Sequence, residues 1–173
     1  MEVSTIMMLL ELILAWLMIT LALFIHEMGH ALALIMSVKK AKAEVYVGSS
    51  SKEKKLRFRI GRITCYVNIA ISGVCYSVVP EELPSTTSKQ QAIFLVGGPI
   101  ASILSFIALY LVSTLISGVI GAIVIGIAFI CLITFIMTLM PITYPAFLGG
   151  LPSDGLQLLT IFKENRKQRK AVL

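Results

Sequence analysis

The sequence predicts an α-helical multi-pass membrane protein with three transmembrane helices and a small membrane-associated β-sheet between the first and the second. Of its 173 residues, 57% are hydrophobic and only 14% are charged, whereas an ordinary soluble domain carries about 25% charged residues. Residues 92–140 include no charged side chain. Between the first two apolar stretches, polar and apolar residues alternate as they do in β-strands. At this length we expect a single membrane-embedded domain, residues 1–173.

The first predicted helix covers about residues 6–36, and its most apolar part runs from residue 12 to residue 25. Since one bilayer crossing takes about 20 apolar residues, this helix is long enough to cross. Glu11 lies about 22 Å before His26 along such a helix. We interpret Glu11 as a carboxylate near the outer headgroups, and Trp16 as a packing or lipid-facing residue.

The segment over residues 43–79 has the two-residue period of β-strands. Apolar residues alternate with three cations between residues 55 and 60, and apolar residues recur at every second position between 63 and 71. Residues 45–48 are a plausible partner strand across a turn region at residues 49–51. The segment therefore predicts a small sheet on the cytoplasmic face.

The uncharged stretch over residues 92–140 is too long for one crossing and predicts two helices joined by a tight turn. The helices are expected over about residues 91–116 and 119–140. A capping box in the segment 88–91 would open the first of them. Pro141 would end the second, because proline has no backbone N–H to continue a helix.

The remaining segment begins irregularly and ends in a basic tail. Residues 142–153 contain two prolines and two adjacent glycines, so they cannot form a regular helix. A short apolar helix is expected over residues 156–162, within a C-terminal region of residues 154–173. Irregular backbone at membrane depth is tolerated only where it is buried in protein or lines a wet cavity.

The basic residues orient the three predicted spans. All fifteen Lys and Arg residues lie in three places: nine within residues 39–62, one at Lys89 and five within residues 163–170. Three spans put the first loop and the tail on one side, and the positive-inside rule makes that side the cytoplasm. We therefore expect a multi-pass protein of a prokaryotic cell membrane with its N-terminus outside. Both its C-terminus and the active-site side should be cytoplasmic.

The net charge and the cysteines exclude two other classes of protein. The formal charge of +6 comes from clusters beside apolar spans, which are expected at a membrane, so no nucleic-acid partner is predicted. The three cysteines, Cys65, Cys75 and Cys131, are odd in number and form no CxxC pair. They are interpreted as small apolar fillers, which argues against a disulfide framework.

The motif at residues 26–30, His-Glu-Met-Gly-His, carries the predicted chemistry. Residues four apart share one face of a helix, so His26 and His30 can present two imidazoles to one metal ion. Glu27 lies beside them and can take a proton from a metal-bound water, which is the zinc metallopeptidase arrangement. The alternative is a hydrogen-bonded histidine pair in a helix bundle. Burying two imidazoles and a carboxylate in a membrane helix without a use is costly.

A third metal ligand must come from another part of the chain, and the fourth position is left for water. Because the chain has no other histidine, the candidates are the carboxylates outside the first helix: Glu44, Glu53, Glu81, Glu82, Asp154 and Glu164. Asp154 is favoured because it follows the third span. Like His30, it precedes the next basic residue by nine positions, which puts both about 13 Å inside the cytoplasmic charge boundary on helical geometry. Asp154 with Ser153 would also make a helix N-cap, and the two roles are compatible.

These residues resemble the site-2 proteases, a family of intramembrane zinc metalloproteases. The resemblance rests on residues 26–30, on the segment Pro-Ser-Asp-Gly at 152–155, and on residues 97–102, which are similar to the family's glycine-proline segment. It covers the three-helix core. It implies one Zn²⁺ per chain, with His26, His30 and Asp154 as ligands and Glu27 as general base. No PDZ or nucleotide-sensing domain is expected in the remaining residues.

The resemblance also suggests three substrate-binding residues, Gly98, Ser102 and Thr138. Gly98 and Ser102, four residues apart, also form a small face on which another helix can pack. Thr138 stands where the family commonly has asparagine, in a Thr-Leu-Met-Pro segment that lies further from Asp154 than the family's segment does. After the Asp-Gly pair the chain continues with Leu156, where the family often has a second glycine.

The predicted function is that of an intramembrane zinc metalloprotease, which hydrolyses peptide bonds within or near transmembrane segments. Its substrates would be single-span membrane proteins or peptides in the lipid bilayer. An edge strand of the sheet is expected to capture the unwound substrate, the alternative being a sheet that merely connects two spans. Two other functions stay open: a non-catalytic accessory or immunity protein, and a membrane metallopeptidase of the prenyl-protein type. The sequence predicts neither the individual substrate nor an oligomeric state.

Overall fold

The computed structural model describes residues 2–48, 52–53, 55–79 and 86–171. Three of its helices, α1, α2 and α3, are long and apolar enough to cross a membrane, and a four-stranded sheet lies between α1 and α2. The prediction of three helices long and apolar enough to cross a membrane, with a sheet between the first two, is thereby confirmed. In chain order the elements are α1 (Glu2–Ser37), β1 (Lys42–Val47), β2 (Leu56–Ile60), β3 (Ile63–Val67), β4 (Gly73–Val78), α2 (Ser88–Ser113), α3 (Gly118–Leu139), a 3₁₀ turn (Ala146–Leu148) and α4 (Asp154–Ala171).

Helices α1 and α2 cross at two glycines, which lets their backbones approach closely. A Cβ atom built on Gly97 would lie 2.5 Å from both the carbonyl oxygen of Gly29 and the Cβ of Ala33. Since real Cβ atoms do not approach other atoms so closely, neither glycine tolerates a side chain without separating the helices. The crossing brings α2 against the part of α1 that carries the His-Glu-x-x-His motif.

The boundaries of α2 differ slightly from the prediction. Its capping box is formed by Thr87 and Gln90, one residue earlier than predicted, because Ser88 already lies within the helix. The Thr87 hydroxyl accepts from the Gln90 N–H at 3.2 Å, and the Gln90 side chain accepts from the Thr87 N–H at 2.9 Å. Helix α3 begins after the predicted turn and ends before Pro141, as expected.

The sheet has the strand order β2-β3-β1-β4, and this corrects the predicted pairing. Strand β1 does not pair with β2, because β3 lies between them, parallel to β1 and antiparallel to β2. The apolar side chains of β1 are buried, as in a central strand, whereas β2 with its alternating cations is largely exposed at an edge. The turn predicted at residues 49–51 lies outside the described residues.

The alternating run over residues 63–71 forms one strand only in part. Strand β3 ends at Val67, and β4 begins at Gly73. Between them the backbone of Ala70 bonds to the Thr20 hydroxyl on α1: its N–H donates at 3.1 Å and its carbonyl accepts at 3.3 Å. A tertiary contact with α1 therefore satisfies the backbone there, and the strand pattern of the sequence is interrupted.

The inner face of the sheet packs against the second half of α1. Arg62, in the turn between β2 and β3, donates to the carbonyls of Ile35, Val38 and Ala41 around the C-terminal end of α1. The sheet and the motif helix therefore share one core. Its buried members are Ala31, Leu34, Val38, Ala41, Ala43, Val45, Ile63, Cys65 and Cys75.

The segment between α3 and α4 is an ordered hairpin-like loop. Thr143 and Pro152 form an isolated bridge, and the Ser153 N–H donates to the Ile142 carbonyl at 2.9 Å. Ser153 is the N-cap of α4, since its hydroxyl accepts from the Leu156 N–H at 3.2 Å, and it also donates to the Met140 carbonyl at 2.5 Å. Helix α4 is longer than the predicted 156–162, because the Lys, Arg, Glu and Gln residues that follow are good helix formers.

Candidate metal centre

Three predicted ligands from distant parts of the chain meet in one cluster. The Nε2 atoms of His26 and His30 lie 3.1 Å apart, and they are 3.2 and 3.4 Å from Oδ2 of Asp154. Both histidines are buried, at 3% and 4% exposure. Within the part of the chain that the structure describes, this is the one group of three ligand-type side chains arranged to hold a metal ion.

The outer nitrogens of both imidazoles have partners that turn Nε2 inward. Nδ1 of His30 lies 2.8 Å from the Phe94 carbonyl, which can only accept, and 3.3 Å from the Gly98 nitrogen, so the shorter contact favours a proton on Nδ1. Nδ1 of His26 lies 2.9 Å from the Ser102 hydroxyl, which can accept in the same way. In the neutral imidazoles a lone pair is then left on each Nε2. Two such nitrogens and a carboxylate oxygen repel one another unless a cation lies among them, and this donor set fits zinc.

Gly98 leaves the space that the donor atoms occupy. A Cβ atom at this position would lie 2.7 Å from Nε2 of His26 and would overlap Nε2 of His30. Ser102 stands one turn later on the same face of α2. The structure therefore places Gly98 and Ser102 against the two imidazoles, and contact of these residues with a substrate stays a prediction.

Glu27 connects the metal cluster to the sheet. It is 6% exposed, and a Cβ atom built on Gly73 would lie 3.0 Å from its Oε1. Gly73 is the first residue of β4, the strand at one edge of the sheet. The predicted general base thus lies where the edge strand begins.

The other predicted site residues lie elsewhere. The Thr138 hydroxyl donates to the Phe135 carbonyl of its own helix at 3.3 Å, so its role at a substrate stays a prediction. Glu44 accepts from Tyr46 and Lys52 on the sheet. Of the remaining carboxylates proposed as ligands, Glu53 and Glu164 are exposed, while Glu81 and Glu82 lie outside the described residues.

Near Asp154, the sequence interpretation missed Tyr144 and named Gly155 only as part of the Asp-Gly pair. The Tyr144 hydroxyl donates at 3.2 Å to the Met137 carbonyl, which lacks its helical partner because Pro141 has no N–H. Burial, together with the carboxylates of Asp154 and Glu27, raises the pKa of Tyr144 to about 12. A Cβ atom on Gly155 would overlap the Leu139 carbonyl, so α4 can begin against the end of α3 only with glycine there. The sequence signal for this contact was Pro141, which leaves the Met137 carbonyl without a backbone donor and therefore in need of a side-chain donor.

One of the comparisons with known proteins finds a family that covers most of the chain. The model of peptidase family M50 matches residues 14–170, a range that includes the motif and Asp154. No curated protein and no solved structure matches the chain.

Proposed function

The chain belongs to peptidase family M50, the membrane metallopeptidases of the site-2 protease kind, and we propose that it is an intramembrane zinc endopeptidase. It would cleave single-span membrane proteins or peptides within or near their transmembrane segments. The observation that carries this proposal is that Asp154 meets His26 and His30 beside Glu27, and that these last three lie on a helix apolar enough to cross a membrane.

The residues of the site divide the chemistry among them. His26, His30 and Asp154 would hold a zinc ion, which would supply Lewis-acid chemistry: a lower pKa for a water at the site and polarisation of the scissile carbonyl. Glu27 is the general base: its carboxylate removes the proton of the attacking water and later passes it to the leaving amine. Ser102 and the Phe94 carbonyl hold the imidazoles in the required tautomer and orientation.

The outer edge of β4, which pairs with no second strand among the described residues, is the proposed place for the substrate backbone. A helical segment hides its carbonyls in its own hydrogen bonds, so it must unwind before hydrolysis. An unwound peptide added to β4 would have its backbone groups satisfied by the strand. Because β4 begins beside Glu27, such a peptide would pass the metal centre.

The orientation in the membrane is proposed from the basic residues. Residues 39–62, which include two strands of the sheet, and the tail of α4 together carry fourteen of the fifteen Lys and Arg residues, which favours the cytoplasmic side for both. Single cysteines introduced at exposed positions, such as Lys52 and Lys167, should then react with impermeant maleimide only after the membrane is opened, and a cysteine replacing Thr114 should react in intact cells. The opposite labelling pattern would reverse the proposed orientation.

Cleavage by the purified protein tests the proposed activity. A panel of single-span substrates would be incubated with wild-type protein and with Glu27→Gln, and product masses would locate the cut. We expect wild-type cleavage that a chelator stops and zinc restores. The variant should keep its zinc but lose activity, because the amide cannot accept the proton. Substantial cleavage by Glu27→Gln would overturn the role of Glu27.

The two other functions give different outcomes in the same assay. A non-catalytic accessory or immunity protein would leave every substrate intact, even with zinc bound. A prenyl-protein type of peptidase would use a glutamate as third ligand, so Asp154→Ala would keep its full zinc content. We expect instead that Asp154→Ala loses most of its zinc.

A further inference from the structure

A cavity of about 570 Å³ lies beside the metal centre, on the side where α1 ends and α2 begins. Strand β4, helices α2 and α4, and the end of the loop before α4 form its walls. A cavity of this size is within the usual range of about 300–1,000 Å³ for ligand sites. Side chains on these elements that line it include Ser77, Phe94, Leu95, Pro152, Leu156 and Ile161.

The inner end of the cavity adjoins the groups that hold the metal ligands. The Phe94 carbonyl bonds to His30, and the Phe94 ring lies 5.1 Å from the imidazole, centroid to centroid. Pro152, in another wall, precedes Asp154 by two residues. A side chain that enters the cavity would therefore contact residues that support the metal ligands without displacing a ligand.

The register of β4 sets the distance between the cavity and the scissile bond. Ser77 is four residues after Gly73, which contacts Glu27, so the two positions are about 13 Å apart along an extended strand. Ser77 also points to the same side of the strand as the buried Cys75, since side chains alternate. In a peptide added to β4, the residue opposite Ser77 would point into the cavity.

The chemistry of the walls favours an apolar side chain. None of the described lining residues is charged. The two glutamine amides in the wall already donate to backbone carbonyls: Gln157 to Pro152 at 3.0 Å and Gln91 to Thr86 at 3.3 Å. The Thr160 hydroxyl likewise donates to its own helix, to the Leu156 carbonyl at 3.0 Å. A charged substrate residue would lose its water here without gaining a partner of opposite charge.

We propose that this cavity is a specificity pocket for a bulky apolar side chain of the substrate, four residues from the scissile bond. The pocket rests on the proposed proteolytic function and on strand addition to β4. It would select substrates that carry leucine, isoleucine or phenylalanine four residues from the scissile bond. In the bound substrate, this residue would lie on the side of the metal centre that faces the end of α1.

Substrate variants test the pocket first. A cleaved single-span substrate would be changed to alanine, leucine, phenylalanine or aspartate, one position at a time, for five residues on each side of the cut. We expect kcat/KM to fall about 10- to 100-fold when the fourth residue on one side becomes alanine or aspartate, as for other apolar pockets. Equal kcat/KM values for all four residues at both fourth positions would overturn the proposal.

A variant whose side chain fills the cavity tests whether the cavity causes this substrate preference. Thr160→Trp would place an indole in it, and Leu159→Trp adds the same ring to an exposed position of α4 as a matched control. In Thr160→Trp the preference for leucine over alanine should collapse, mainly through KM, while zinc content stays unchanged. Leu159→Trp should keep the preference. A preference that persists in Thr160→Trp would exclude this cavity, whereas an uncleaved panel with wild-type protein would refute the proposed function itself.

Discussion

The two regions that supply the metal ligands are built in different ways. His26 and His30 come from one turn of α1, which is clamped by the close glycine crossing with α2. Asp154 comes from the end of an irregular loop, which is held by a few hydrogen bonds around Ser153 and Tyr144. Helix periodicity alone aligns the first pair, whereas the third ligand depends on specific tertiary contacts. We therefore expect the α1–α2 region to be sensitive to added volume, and the loop to be sensitive to lost hydrogen bonds.

The largest effect is expected from Gly98→Ala. The added methyl group would overlap Nε2 of His30, so an imidazole must leave its position. Zinc affinity should fall by about a hundredfold or more, together with cleavage, because a displaced ligand costs more than an outer partner. The control is Gly126→Ala, whose methyl meets only the flexible end of Met18. Zinc titration checks both, and a fully loaded, active Gly98→Ala would contradict the geometry.

A smaller loss is expected from Ser102→Ala, which removes the partner of His26. Outer partners of metal ligands are worth about 10- to 100-fold in affinity or activity. The zinc-free protein should lose about 1 kcal/mol of stability, for the one buried hydrogen bond that is removed, while α1 and α2 stay clamped elsewhere. Zinc affinity and melting temperature are to be measured on the same preparations. Unchanged affinity would show that Ser102 does not position His26.

Ser153→Ala should lower the stability of the zinc-free protein more than Ser102→Ala does, because it removes two interactions instead of one, and it should also weaken zinc binding. The variant loses the N-cap of α4 and the bond to the Met140 carbonyl, and each is worth about 1 kcal/mol. We expect about tenfold weaker zinc binding, since Asp154 follows directly. Ser153→Thr, which keeps the hydroxyl, is the matched control. A drop in affinity without any loss of stability in zinc-free protein would contradict this account.

The smallest effect is expected from Tyr144→Phe. It removes only the hydroxyl that serves the Met137 carbonyl, at a cost of about 1 kcal/mol. Cleavage should fall no more than a few fold. Removing Pro141 as well, in a Pro141→Ala double variant, supplies a backbone N–H for that carbonyl and should recover part of the stability. Melting curves of the double variant measure this recovery. If stability does not recover, the Tyr144 hydroxyl does not act by satisfying the Met137 carbonyl at the end of α3.

The parts of the fold that depend on local pattern were predictable, and the parts that depend on tertiary pairing were not. Hydropathy was sufficient to predict the three long apolar helices near their observed limits. Helix periodicity was sufficient to predict that His26 and His30 share one face. The order of the strands was missed, because β3 inserts between neighbours in sequence and Thr20 interrupts the alternating run. At the site, the spacing of Asp154 from the next basic residue predicted that it lies at the same membrane depth as His30. Nothing in the sequence alone indicated that Phe94 supplies a carbonyl to His30.

The metal ligands lie far apart along the chain, so a bound ion would join distant segments of the folded protein. Asp154 follows His30 by 124 residues, so an ion bound to both closes a loop that includes the sheet, α2 and α3. Closing a flexible loop of that length costs about 4 kcal/mol of entropy. Folding of the chain already brings the ligands together, so this entropy is lost before the ion binds. The bound ion then cross-links α1 to the start of α4. Demetallation should therefore raise the hydrogen exchange of α4 first, while the amides at the α1–α2 crossing stay protected.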